Sequence, residues 1–246
     1  MIAICISGIT SMVPEYKLIR EIQAKVFPYD TFFLQWNGYP KADLPNVSYV
    51  DEPTWDYHVL SEVKAKPNCP IFRRYTKKPN GKIYRKSRPR MYKQFKTSAN
   101  QIMSHAHLVN SLDPKYTTII KLRFDTIVST RADYSSYIKM AEQGITVGFD
   151  ADKGKENYGA NPNMKIHQPK DCDRCHARIW DHMLMHPRAR LKNVFEMKEQ
   201  QKLCGAEWGW YQILAEQWND NNFINVSGGE AIAKWCIAPK EEWMQL

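Results

Sequence analysis

Within "YTTIIKLRFDTIVST", residues 116–130, Arg123 and Asp125 stand two apart at the end of an apolar run. Residues at i and i+2 of a strand share a face, so a guanidinium and a carboxylate would leave a buried strand together. A carboxylate at the carboxyl end of a core strand sits where open α/β sheets bind ligands. Asp125 placed there would hold Mg²⁺ or Mn²⁺ against a diphosphate. Arg123 would take a phosphate oxygen directly. The competing reading is an Arg–Asp ion pair that only supports the fold.

A second group of chemically capable residues lies in "CDRCHARIWDHMLMH". Cys172, Cys175, His176, His182 and His186 are zinc-ligand types. On the helix expected for this segment, His182 and His186 would share a face at i, i+4. The sequence has no second Cys-x-x-Cys, and the spacing matches no zinc finger. Two thiols at a helix start with surface histidines is the expectation, and a structural zinc at Cys172 and Cys175 is not.

The third candidate is a block of charge. The chain of 246 residues carries a net charge of +9. Between Glu62 and Asp113 there is no acidic residue, and thirteen Lys and Arg fall there. The remainder holds 22 basic against 26 acidic residues, so the excess is local. In "IFRRYTKKPNGKIYRKS" two extended arms flank Asn80-Gly81, a strong hairpin-turn signal. Arg73, Arg74, Lys77, Lys78, Lys82, Arg85, Lys86 and Arg88 would line a surface for a polyanion, interleaved with Phe72, Tyr75 and Tyr84. A solvated loop is the plainer alternative.

Positioning these residues requires a layered scaffold. "MIAICISG" reads as a first core strand ending in Ser7-Gly8, and not as a signal peptide, because it lacks a basic start and a cleavage site. "PEYKLIREIQAKVF" has helical spacing through Leu18, Ile22 and Val26. "YDTFFLQWN" and "VSYVDEP" read as strands, a helical pattern runs from about Pro89 to Leu108, and "TTIIKLRFD" is the next strand. "DYSSYIKMAEQ" reads as a short helix, "ITVGFD" as a strand and residues 151–171 as a loop. From Cys172 onward mostly helix is expected, closed by "NFINVSG" as a last strand. The expectation is an α/β domain over 1–246, a Rossmann-type layered sheet with helices on both faces. To it are added a basic β-hairpin insertion at about 71–88 and a mostly helical C-terminal part.

In order, "IAICISG", "DTFFLQWN", "RMYKQFKTSANQIMSHAHLV", "YTTIIKLRFDTIVS" and "GAEWGWYQIL" resemble the nucleotide-sugar glycosyltransferases of GT-A type. The resemblance is to the microbial and viral, phage-like branch with an Arg-x-Asp element in place of a DXD motif. It implies a sugar moved from a nucleoside-diphosphate sugar to an acceptor hydroxyl. It places Ser7, Gly8 and Trp36 against the nucleotide, with Met91, Gln94 and Ser98 on the helix over it. Arg123 and Asp125 fall at the diphosphate, with Mn²⁺ or Mg²⁺ on Asp125. Asp173, or else Asp181, borders the acceptor, and Glu207 is the candidate base. Arg123 in the first DXD position puts metal dependence in question, since the Arg itself can neutralise a leaving diphosphate.

The charged block points to an anionic acceptor, such as a hydroxymethylated base in phage DNA, which must leave the base stack to react. A surface or lipid-linked glycan is the alternative acceptor. A basic nucleic-acid-binding protein without chemistry is the alternative of another class. No apolar run reaches the length of a membrane span, and the expected location is the cytoplasm, the host's if the chain is viral.

Overall fold

Parallel strands buried on both faces organise this chain. The computed structural model describes residues 1–56, 88–149, 165–167, 179–201, 203, 206–218, 222–227 and 232–234. In chain order these form β1 (Ile2–Ser7), α1 (Tyr16–Val26), β2 (Asp30–Trp36), β3 (Val47–Val50) and α2 (Arg88–Ser111). Then come β4 (Thr118–Leu122), β5 (Thr126–Val128), α3 (Ser135–Glu142), β6 (Thr146–Phe149) and β7 (Lys165–His167). The last are β8 (Met183–Pro187), α4 (Val194–Glu199), α5 (Ala206–Leu214), β9 (Phe223–Ser227) and β10 (Ile232–Lys234).

One eight-stranded sheet runs β3-β2-β1-β4-β8-β6-β9-β7, and β10 pairs with β5 separately. β1 lies parallel to both β2 and β4. β8 is antiparallel to β4 and to β6. The sheet has helices on both faces, as expected. Alternation along each strand divides its side chains between them. Ile4, Ile6, Ile120 and Leu122 pack with Ile19 and Ile22 of α1 and Tyr137 and Ala141 of α3. Ala3, Cys5 and Ile119 pack on the other face with Phe95, Ile102 and Ala106 of α2 and Trp210 and Ile213 of α5. Burial pushes the Cys5 thiol far above its ordinary range, so it behaves as a small apolar residue.

This arrangement has a switch point. The chain leaves β1 through α1 toward β2 and β3, then crosses back through α2 on the opposite face to β4. Connections diverge between β1 and β4, the place where open α/β sheets form a ligand crevice outside the carboxyl ends of their strands.

The C-terminal part corrects the expectation of mostly helix. "DHMLMH" contributes β8 and Ile232–Lys234 contributes β10, while β9 is the last strand expected at "NFINVSG" and β7 falls inside 151–171, expected as a loop. Met183, Leu184 and Met185 are all buried between the two helical layers. A strand covered on both faces shows a continuous apolar run, which Met and Leu also give to a helix. The helices expected at "RLKNVFEMKEQQKL" and "AEWGWYQILAEQWND" are present in shorter form as α4 and α5. The basic hairpin at about 71–88, with Arg73, Arg74, Lys77, Lys78, Lys82, Arg85 and Lys86, lies outside the described residues.

Candidate active site

The crevice between β1 and β4 gathers the residues singled out above. β1 ends at Ser7, and Gly8 follows with φ +147°. A Cβ at Gly8 would stand 3.5 Å from the Phe124 ring, so the first loop lies directly against the Arg-Phe-Asp element. The Ser7 hydroxyl is hydrogen-bonded to that of Ser104 on α2 at 3.0 Å. Beside them the Thr10 hydroxyl donates to buried Gln35 Oε1 at 3.2 Å, and Gln35 Nε2 donates to the Pro40 carbonyl.

Strand β4 stops at Leu122, so Arg123-Phe124-Asp125 forms a turn and not the strand end expected from spacing. The Thr126 amide donates back to the Arg123 carbonyl at 3.3 Å. Arg123 Nε and Nη2 donate to Asp125 Oδ1 and Oδ2, both at 2.7 Å, a two-pronged ion pair. Gln23 of α1, buried beneath, donates its amide to the carbonyls of Arg123 at 3.0 Å and Thr126 at 2.8 Å. Phe124 stacks on Phe33, with centroids 6.2 Å apart.

That geometry bears on the metal expected at Asp125. Both carboxylate oxygens are occupied by the guanidinium, and the neighbouring position that would supply a second carboxylate is the Arg itself. Among the described residues no group of three His, Cys, Asp or Glu converges to hold a metal. The described residues do not by themselves complete a divalent-ion site at Asp125.

Lys121 is a functional candidate that the sequence reading passed over. It shares the α2/α5 face with Ile119 and is 1% exposed. Its ammonium donates to the Asp181 carbonyl at 2.9 Å and lies 5.4 Å from the Trp210 ring centroid. Burial lowers its pKa to about 8, with the Asp181 charge opposing and Arg123 reinforcing that shift. A single Lys inside the apolar run "TTIIKL" was the available signal.

The segment 179–182 crosses the same edge before β8, and four different elements hold it. The Ile179 amide donates to the Glu207 carbonyl at 3.1 Å. The Trp180 amide donates to Asn225 Oδ1 at 2.9 Å. Lys121 binds the Asp181 carbonyl, and the Thr126 hydroxyl donates to the His182 carbonyl at 3.1 Å. Gly148 of β6 leaves the room: a Cβ there would meet the Trp180 carbonyl oxygen at 2.6 Å. Asp181 is buried at this edge, and Glu207 is half-buried in the first turn of α5. The backbone bond from Ile179 ties Glu207 to the Asp181 segment.

Trp36 is buried, edge-on to His107 at 6.1 Å, and packs in the core beneath α2. Ser98 is half-buried on α2. The side chains of Arg88, Met91 and Gln94 lie outside the described residues, as do Asp173, Cys172, Cys175 and His176. The shared helical face of His182 and His186 is corrected: they belong to an extended segment, about 13 Å apart by strand rise. His186 is buried on β8, its Nε2 2.9 Å from Nε2 of buried His105 and its Nδ1 2.9 Å from the Pro187 carbonyl. These partners assign Nδ1–H to His186 and Nε2–H to His105, and leave buried His105 Nδ1 without a hydrogen-bond partner among the described residues. Burial lowers the pKa of both, that of His186 to about 4, so the pair is neutral.

No family model and no curated protein matches the chain. Solved structures similar to it include a 4-diphosphocytidyl-2C-methyl-D-erythritol synthase from Anaerococcus prevotii. That structure is 11% identical over 99% of this chain and 95% of its own, with TM-score 0.44. A glycosyltransferase involved in glycosylation of the major capsid of PBCV-1 is 12% identical over 98% of this chain and 96% of its own, with TM-score 0.42. The galactosyltransferase LgtC, in complex with donor and acceptor sugar analogues, is 8% identical over 95% of this chain and 87% of its own, with TM-score 0.43.

Proposed function

We propose that this protein is a nucleotide-sugar glycosyltransferase of GT-A type. One observation carries the reading. Ser7-Gly8 and Arg123-Phe124-Asp125 meet at the carboxyl ends of β1 and β4, where the connections diverge, and Asp181 and Glu207 are held at the same edge. Open α/β sheets bind nucleotides in such a crevice.

In this reading the nucleotide lies along Ser7, Gly8 and the Ser98 side of α2, with the diphosphate toward Arg123. Glu207 accepts the proton of an acceptor hydroxyl as its oxygen attacks the anomeric carbon. The bond from that carbon to the diphosphate oxygen breaks, and Arg123 meets the charge that develops on the leaving group. Asp173 or Asp181 borders the acceptor, and the fixed segment 179–182 favours Asp181.

The acceptor is anionic in this reading, with hydroxymethylated bases of phage DNA as the specific case. The thirteen cations between Glu62 and Asp113 support it, since a diphosphate alone needs only a few. The same block favours the second reading, a nucleic-acid-binding protein without chemistry. A thermal-shift screen of nucleoside diphosphates and nucleotide sugars separates them. A saturating ligand at about a hundred times its Kd stabilises by about 2.7 kcal/mol. Stabilisation by one nucleotide class is expected. No stabilisation by any, with salt-steep DNA binding, favours the second reading.

A further inference from the structure

We propose that Arg123, aligned by Asp125, and Lys121 behind it on β4 hold the anionic part of the ligand as a metal-independent cation pair. This rests on the reading that the crevice takes a diphosphate.

The role of Asp125 follows from its partners. A carboxylate that binds Mg²⁺ or Mn²⁺ must offer oxygen lone pairs in a nearly octahedral set. Here each oxygen receives an N–H of Arg123 at 2.7 Å. A metal would have to share both oxygens with the guanidinium, 23% exposed, and sit beside its positive charge. The turn resists rearrangement. Gln23 holds its carbonyls from below, and Phe124 is wedged against Phe33 and Tyr16. Asp125 is therefore a positioning residue, and its work is to fix the plane of a phosphate-binding guanidinium.

Asp125 also neutralises Arg123, so a standing positive charge must come from elsewhere. Lys121 supplies it. Its ammonium is buried, where water screens it little, and it is anchored to the Asp181 carbonyl. The groups whose charges reach it are Asp181, Arg123 and Asp125. His105 and His186 across from it are neutral, and the indole of Trp210 offers its face. A fold built only for stability has no use for an ammonium there, because an apolar chain of the same volume would avoid the desolvation.

The test is calorimetric titration of inorganic pyrophosphate into the full chain, in EDTA and then with Mn²⁺. Binding in EDTA is expected, changed less than about threefold by Mn²⁺. Arg123→Gln should weaken it about tenfold or more, the scale of a charge-assisted contact, and Lys121→Met by a similar factor through the lost charge alone, since its ammonium is buried and does not touch the ligand. Lys121→Met should do so with the melting temperature within about 3 °C of wild type, so that the lost affinity is not lost fold. Asp125→Asn, which still offers an oxygen to Arg123, should retain most of the affinity that Asp125→Leu loses. Binding only with Mn²⁺, abolished by Asp125→Asn, overturns the inference and leaves the glycosyltransferase reading standing. No pyrophosphate binding under either condition also overturns it. Metal-free binding that depends on Arg123 and Lys121, with no response to any nucleotide sugar, keeps the inference and removes the glycosyltransferase reading.

Discussion

Gly148→Ala tests whether segment 179–182 is seated as described. An added Cβ would stand 2.6 Å from the Trp180 carbonyl oxygen, 2.8 Å from Asn225 Oδ1 and 2.8 Å from Ile179 Cγ2. The first neighbour is backbone, and the second accepts the Trp180 amide at 2.9 Å, so neither yields freely. Reaching ordinary contact requires the segment to move by roughly 0.8 Å. Overpacking of this kind costs about 1–3 kcal/mol. Losing the Asn225 bond to a buried amide adds about 1–3 kcal/mol. The sum is about 2–6 kcal/mol, a melting-temperature drop of roughly 4–24 °C for a chain of this size. Scanning calorimetry of wild type and variant reads it. Gly144→Ala is the control, since Gly144 has φ +100° and nothing within 4 Å among the described residues; backbone strain alone costs about 1–2 kcal/mol there. If Gly148→Ala is no worse than Gly144→Ala, the segment does not pack against β6 and the placement of Asp181 fails with it.

The buried His105–His186 pair makes the fold acid-sensitive. Both pKa values lie below the unfolded value of about 6.5, so the unfolded chain binds more protons as pH falls and stability is lost from about pH 6.5 toward 4. His186 alone should remove about 2 kcal/mol between pH 6.5 and 5, read from urea midpoints, and His186→Leu should flatten that dependence; an unchanged slope refutes the assignment. Glu207→Gln should lower kcat by about 10²- to 10⁴-fold with nucleotide affinity unchanged, measured by sugar transfer beside calorimetry, and near-wild-type turnover would remove Glu207 as the base. Gln23→Leu strips both carbonyls of the Arg123 turn of their side-chain donor and should cost about 2–4 kcal/mol in denaturant unfolding; a loss below 1 kcal/mol would mean that the turn holds itself.

The first half of the chain was legible because its elements carry one clear period each. "IAICIS" and "DTFFLQW" are short apolar runs closed by Gly8 and Gly38, and α1 presents one apolar stripe. The Arg-Phe-Asp element was legible as a pair, but its turn was not, because i, i+2 spacing brings Arg and Asp together in strand and turn alike. Strand β8 was hidden by its own burial: residues covered on both faces lose the alternation that marks a strand. Lys121 was hidden by habit of reading, since a lysine in a strand is ordinarily assigned to solvent. Asn225 and Gly148 act through close approach to a distant segment, and no local pattern in sequence encodes that.

The position of β8 has a consequence for how the chain is made. It sits between β4 and β6 but lies more than sixty residues beyond β4 in the chain. A ribosome that has released residues 1–128 has delivered four parallel strands whose β4 edge, "TIIKL", has no partner on one side. All five of those residues are buried in the finished sheet. An apolar edge waiting for a late, central strand is a template for pairing with another chain, and such non-local closure is slow. Expression trouble in this protein should therefore arise during synthesis and not from the folded state. Shortening the chain before residue 187 should turn it from soluble product to aggregate.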